Sequence, residues 1–259
     1  MIGARGWRCV LIAVSVIALS VVFTLILGSQ APAGAGSAMP AVVSSGGESF
    51  VYRFDPDISS FVFTFTVPTG NANPWDVVVV SGAGHQEVWF TEAGADRIGR
   101  LTYTDTNDYA FREYTLTVGS RPLNLVSGGG FIWFTEAGGD RIGRLDPTTG
   151  QIDEFEVTAG SYPADLDYAS DGSIWLTEMM ADQIARLVIT STDDYAVTPN
   201  STASLSGGRP YGIVAAGTSV YFAQTANDRV TCFTPPNSWV HISLSGLPDE
   251  PYALVLDSS

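Results

Sequence analysis

The sequence predicts an all-β chain: a β-propeller of four-stranded antiparallel blades. Three observations predict it. First, Val88-Trp89-Phe90-Thr91-Glu92-Ala93-Gly94-Ala95-Asp96-Arg97-Ile98-Gly99-Arg100-Leu101 returns as Ile132-Trp133-Phe134-Thr135-Glu136-Ala137-Gly138-Gly139-Asp140-Arg141-Ile142-Gly143-Arg144-Leu145. It decays to Ile174-Trp175-Leu176-Thr177-Glu178 with Asp182-Gln183-Ile184, and then to Val220-Tyr221-Phe222-Ala223-Gln224 with Asp228-Arg229-Val230. Second, the aromatic anchors at 89, 133, 175 and 221 are 44, 42 and 46 residues apart, a period that belongs to stacked β units. Third, apolar and polar residues alternate between turn signals, and no helical period is found beyond residue 40.

Residues 1–40 are of another kind. Arg5 and Arg8 precede an uncharged run of 18 residues, Val10 to Leu27, followed by small residues and proline. Its length exceeds a usual signal-peptide core and just reaches that of a membrane-spanning helix. The expectation is an N-terminal hydrophobic helix, either a cleaved signal with its site near Ala33 to Ala38 or an uncleaved anchor. Both place the remainder, residues 41–259, outside the cytoplasm.

Within that remainder each unit opens at a proline: Pro74, Pro122, Pro163, Pro210 and Pro251. A short apolar first strand follows, for example Trp75 to Val80 or Tyr211 to Ala215. A glycine-rich turn leads to the Trp-Phe-Thr-Glu strand. A turn ending in aspartate leads to the third strand, Ile142 to Leu145 in the clearest copy. Asp146-Pro147-Thr148-Thr149-Gly150 is a turn signal, and Ile152, Phe155 and Val157 alternate with Asp153, Glu154 and Glu156 in the fourth strand. Val51-Tyr52-Arg53-Phe54-Asp55-Pro56 matches a third strand, so the first unit is expected to supply only third and fourth strands. Pro251 to Leu256 matches a lone first strand. The reading is four whole blades plus two partial ones, an incomplete six- or seven-bladed ring.

Charge narrows the partners. The 27 carboxylates all lie beyond residue 40, the 12 basic residues are all arginine, and the formal net charge is −15. Such a surface repels nucleic acid and anionic headgroups. Contact with a membrane is expected only through residues 10–27. Cys9 falls in the export element, leaving Cys232 without an intramolecular partner.

Several residue sets are candidates for a site. The residues after the opening prolines (Trp75, Leu123, Ala164, Tyr211, Tyr252) are expected to face a central channel. With Asp76, Asn124, Asp165 and Glu250 nearby they suit a pocket for a ring-bearing or sugar ligand, or plain packing where blades converge. Glu92, Glu136 and Glu178, with Gln224 in register, read either as a carboxylate ring or as strand-end partners of Arg97 and Arg141 in the same hairpins. Asp96, Asp140, Asp182 and Asp228 read as Asx-turn residues that cap their own hairpins. His85 and His241 lie at a turn and on an outer strand, without a carboxylate or second histidine at metal-ligand spacing. Asn200-Ser201-Thr202 fits a glycosylation acceptor, and nothing else in the sequence supports that modification.

At Trp-Phe-Thr-Glu…Asp-Arg-Ile-Gly-Arg-Leu-Asp-Pro-Thr-Thr-Gly the chain resembles the streptogramin B lyases, the virginiamycin B lyase family of propellers, over roughly residues 50–257. The resemblance implies a seven-bladed ring that opens a cyclic depsipeptide by β-elimination, with a magnesium ion, histidines and glutamates near the channel. In the family those residues follow the opening prolines in Arg-Pro-His and Glu-Pro-His motifs. Here the segments read Arg209-Pro210-Tyr211 and Glu250-Pro251-Tyr252. Glu250 matches the metal-site glutamate, and Tyr211 and Tyr252 stand at the histidine positions. Imidazole titrates near 6.5 and phenol near 10, so tyrosine is a poor general base at neutral pH. The expectation is therefore an exported, lyase-like propeller that binds a small molecule, a peptide or a surface protein without the family's chemistry. No cofactor is required by the sequence, and magnesium is expected only if that activity is retained. The alternative is a carbon–oxygen lyase opening a cyclic depsipeptide or lactone, with Tyr252 and Tyr211 catalytic and Glu250 on the metal.

Overall fold

The computed structural model describes residues 39–45, 48–55, 60–81, 85–103, 108–191, 194–201, 205–244, 251 and 254. The expected N-terminal hydrophobic helix, and Glu250 and Tyr252, lie outside the described residues. No helix among the described residues is long and apolar enough to cross a membrane.

The described chain is all β, apart from short 3-10 turns such as Met179–Ala181 and Thr225–Asn227. It divides into two compact units, one ending at Glu156 and the other beginning at Val157. The first unit holds β1 (Met39–Ser45), β2 (Glu48–Asp55) and β3 (Ser60–Thr66) in one sheet. Next come β4 (Pro74–Ser81), β5 (Gln86–Glu92), β6 (Arg97–Tyr103) and β7 (Tyr109–Thr115). A third sheet contains β8 (Pro122–Gly128), β9 (Phe131–Glu136), β10 (Arg141–Leu145) and β11 (Ile152–Glu156). The second unit holds β12 (Pro163–Tyr168), β13 (Ile174–Glu178), β14 (Gln183–Ser191) and β15 (Asp194–Asn200) in one sheet. Its other sheet is β16 (Pro210–Ala216), β17 (Ser219–Gln224), β18 (Arg229–Thr234) and β19 (Ser238–Ser243). Strands pair antiparallel in chain order, so each four-stranded sheet is one repeat, opened by its proline as the sequence predicts.

One expectation changes at the N-terminal side. The first sheet carries three strands, because Met39–Ser45 pairs in full register with Glu48–Asp55 and takes the place of the second strand. The residues between the apolar run and Val51 alternate too weakly to announce a strand; pairing with β2 supplies the order that their own pattern lacks.

The cores lie between consecutive sheets. Val78, Trp89, Ile98 and Tyr114 of one sheet meet Leu125, Ile132, Phe134 and Leu145 of the next. In the second unit Trp175 and Ile184 meet Ile213, Val220, Phe222 and Phe233. Each such side chain contributes about 1.5–3 kcal/mol on burial, and a single sheet could not bury them alone.

Two repeat residues owe their identity to this packing. Trp89, Trp133 and Trp175 stand directly opposite Arg100, Arg144 and Arg186 on the third strand. The guanidinium carbons lie 5.1, 5.6 and 5.8 Å from the indole rings, within cation–π range. The last repeat has Tyr221 opposite Cys232 in these places. Gly99 and Gly143 are glycine because the rings of Phe90 and Phe134 lie on their backbone, in the space a β-carbon would occupy.

Candidate functional site

The candidate site begins at the opening prolines. All four four-stranded sheets have a bulge there: register shifts between Pro74 and Val77, Pro122 and Leu125, Pro163 and Leu166, and Pro210 and Ile213. A bulge leaves two residues without ladder partners, and their amides need other acceptors. The threonine of Trp-Phe-Thr-Glu supplies one. Thr91 Oγ1 accepts from the amides of Trp75 and Asp76 at 3.3 and 3.0 Å, and Thr135 and Thr177 accept from Asn124 and Asp165 at 3.1 and 3.0 Å. The same hydroxyl donates onward. Thr91 reaches the carbonyl of Leu123 at 2.8 Å and Thr177 that of Tyr211 at 2.7 Å, so each ties its own bulge to that of the next sheet.

The residue before each of these prolines adopts positive φ: Asn73 (46°), Arg121 (47°), Tyr162 (54°) and Arg209 (47°). This left-handed conformation is costly for residues other than glycine and is stored where the surroundings over-determine it. The hairpin turn after the second strand provides the hold. Gly94 donates to the carbonyl of Ala72 at 2.9 Å, Gly138 to that of Ser120 at 2.9 Å, and Met180 to that of Ser161 at 2.8 Å.

Two of the turn aspartates, Asp96 and Asp182, take part in this too, which corrects their expected role: their carboxylates hold amides of the following repeat and do not cap their own hairpins. Asp96 itself has φ 52° and accepts from the amides of Gly119 and Arg121 in the following repeat at 2.8 and 2.7 Å. Asp182 does the same with Gly207 and Arg209 at 2.8 and 3.0 Å. An Asx turn is found instead at Asp146, which accepts from Thr148 and Thr149.

Of the residues expected to face the channel, Leu123 and Ala164 are fully buried, whereas Trp75 and Tyr211 are half-buried. Among the described residues of this set, only the two aromatics therefore present a surface. Trp75 belongs to the first unit and Tyr211 to the second. The nearby acids are mostly structural: Asp76 accepts from the amide of Leu125 at 3.0 Å, and Asp165 from Ile213 at 2.8 Å, joining one first strand to the next. Asp167 reaches Ala215 in the same way at 2.7 Å. Burial raises Asp76 to about 6 against the lowering effect of its two amide donors.

The second-strand carboxylates diverge. Glu92, Glu136, Glu178 and Gln224 are all fully buried. Glu136 is bound by Arg141 at 2.8 Å and Ser120 at 2.6 Å, as the strand-end reading expects, and burial still holds it above the usual carboxylate range. Glu178 accepts from Thr158 and Gln183. Arg97, directly opposite Glu92, does not bind it: Arg97 pairs with Glu113 at 2.7 Å, and neither oxygen of Glu92 has a hydrogen-bond partner. Ala72 stands where Ser120 stands in the next repeat, so the second donor is missing as well.

His85 has a partner that spacing did not reveal. Its Nε2 lies 3.0 Å from Glu87, which also accepts from Trp89 Nε1 and Arg100. Burial raises the Glu87 carboxyl, but these three donors outweigh it and hold the carboxyl below its ordinary range. His241 lies on β19 and contacts Thr231 at 2.9 Å.

Among the described residues no three His, Cys, Asp or Glu side chains gather as a metal site, and Glu250, the expected metal-site glutamate, lies outside them.

The virginiamycin B lyase family model matches residues 51–259. No curated protein sequence matches the chain. Among solved structures, it is similar to selenomethionine-substituted virginiamycin B lyase from Staphylococcus aureus, at 25% identity and TM-score 0.73 over 89% of this chain and 73% of that one. A streptogramin B lyase structure is 27% identical, with TM-score 0.66 over 89% and 76%. A periplasmic gluconolactonase from Pseudomonas aeruginosa, 14% identical with TM-score 0.62 over 85% and 70%, shares the fold alone. The chain belongs to the virginiamycin B lyase family.

Proposed function

We propose that this chain is an extracytoplasmic propeller that binds a ring-bearing small molecule or peptide, without the elimination chemistry of its family. One observation carries the reading: the residue after Pro210 is a half-buried tyrosine, held by its backbone to Thr177, where the family chemistry calls for an imidazole. Trp75 occupies the equivalent place in an earlier repeat and is also half-buried, so aromatic surface is offered at the positions that the other repeats close with Leu123 and Ala164. Aromatic faces suit planar or cyclic ligands. Glu250 and Tyr252 are further candidates for ligand contact by sequence position alone. The apolar run Val10 to Leu27 behind two arginines supports export.

The test is titration of the full chain with quinupristin, the ligand present in a solved structure of a catalytically inactive virginiamycin B lyase from Staphylococcus aureus that is 26% identical to this chain. Tryptophan fluorescence reads binding, and mass spectrometry with added magnesium reads ring opening. Saturable binding that Trp75→Ala and Tyr211→Ala weaken, with the ring left intact, supports the reading. Ring opening that disappears in Tyr252→Phe overturns it in favour of a carbon–oxygen lyase.

A further inference from the structure

Two consecutive repeats hold the same four polar positions in different arrangements. In the later one, Arg141 bridges Glu136 at 2.8 Å and Glu154 at 3.2 Å, and Thr117 donates to Glu154 at 3.0 Å. In the earlier one, the counterparts are Arg97, Glu92, Glu113 and Thr69. Arg97 binds Glu113 at 2.7 Å and Thr69 at 2.5 Å, Thr69 donates to Glu113 at 2.7 Å, and neither oxygen of Glu92 is within hydrogen-bond geometry of a donor. The carboxyl of Glu92 is fully buried, with Oε1 against Gly99. A charged carboxylate in that position without a donor would be expelled or would capture one.

We propose that Arg97 is a pH-driven two-position side chain: it rests on Glu113 and Thr69 while Glu92 carries a proton, and swings onto Glu92 when that proton leaves. The second position is the one Arg141 already takes. Arg97 starts directly across the strand pair from Glu92 and its side chain is 34% exposed, so it has room to turn. The charged groups acting on Glu92 are Arg97 on β6 and Glu113 on β7; the loop before β4 contributes Thr69, whose hydroxyl donates to Glu113 at 2.7 Å and also lowers the Glu92 carboxyl. Burial first, and then the charge of Glu113, raise Glu92 to about 7 against the pull of Arg97 and Thr69, which puts the switch near neutral pH. Its consequence is local. Arg97 anchors Thr69, and Thr69 belongs to the segment that runs through Asn71 and Asn73, both at positive φ, into Pro74 and Trp75. Losing that anchor loosens the entry to the first strand. The switch itself does not depend on the ligand reading above.

The experiment is nuclear magnetic resonance of the full chain from pH 5 to 9, following the Glu92 carboxyl carbon and the Arg97 side-chain nitrogens. Both should titrate together, with a shared midpoint within about one unit of 7. In Glu92→Gln the Arg97 signals should stay fixed across the range. Ala72→Ser, which supplies the hydroxyl that Ser120 gives Glu136, should lower the midpoint. A Glu92 that titrates as an ordinary carboxylate, an Arg97 that ignores its titration, or an Arg97 response that survives Glu92→Gln overturns the proposal. The wild-type titration alone decides the matter if a variant fails to fold.

Discussion

The hydroxyl of Thr177 lies 2.7 Å from the backbone carbonyl of Tyr211, one repeat further along the chain. On its other side the same oxygen accepts from the amide of Asp165 in its own sheet's bulge. A residue that reads in sequence as a β-branched strand former is thus the joint between two blades. Thr91 repeats the arrangement with Asp76 and Leu123.

Removing that joint should cost stability without changing shape. Valine keeps the volume of Thr91 or Thr177 but strands a buried amide and a carbonyl, so each Thr→Val change is expected to cost about 2–3 kcal/mol. Urea unfolding monitored by tryptophan fluorescence checks it. Thr→Ser at the same positions, which keeps the hydroxyl and its two hydrogen bonds, is the control: a comparable loss there would sink the argument.

Gly143→Ala should be among the most damaging small changes. The new β-carbon would enter the ring of Phe134, which is fully buried and has no room to withdraw. A loss of about 2–4 kcal/mol is expected. Pairing it with Phe134→Leu should recover part of that, making the two changes strongly non-additive. Additive losses in thermal unfolding would show that the glycine serves another purpose.

Asp182 should tolerate asparagine better than alanine. Its backbone is left-handed, with φ 51°, and its carboxylate holds two amides of the next repeat. Asparagine keeps one acceptor and tolerates positive φ; alanine loses both bonds and adds strain. The expected losses are below about 1 kcal/mol for Asp182→Asn and about 1–2 kcal/mol for Asp182→Ala.

Glu92 gives stability a pH dependence of a particular sign. Its folded carboxyl is raised from 4.5 to about 7, chiefly by burial. Between those values the folded chain keeps a proton that the unfolded chain has released, so this group's contribution falls as pH rises, by up to about 3 kcal/mol in all. Glu92→Gln has no proton to lose. The variant should therefore gain on the wild type between pH 5 and pH 8, and a difference that stays constant over that range refutes the assignment.

The repeat made much of this fold legible. Spacing of the aromatic anchors, the opening prolines and the Asp-Pro-Thr-Thr-Gly turn located the strands of the four-stranded sheets closely, because alternation and turn chemistry are local properties of a chain. The site was less legible. The tyrosine after Pro210 could be read directly, but the reach of Asp96 and Asp182 into the following repeat could not. Nor could the strand at Met39–Ser45, whose order comes from pairing.

Sequence by itself determined that four repeats are four-stranded antiparallel sheets, which proline opens each, and that a tyrosine follows Pro210. Only the tertiary structure decided which partner each polar side chain keeps. Arg97 and Arg141 occupy the same position in the same motif, yet one binds Glu113 alone among the carboxylates and the other bridges Glu136 and Glu154. The choice rests on differences such as Ala72 for Ser120 and on burial, and both act through space between segments that lie far apart in the chain.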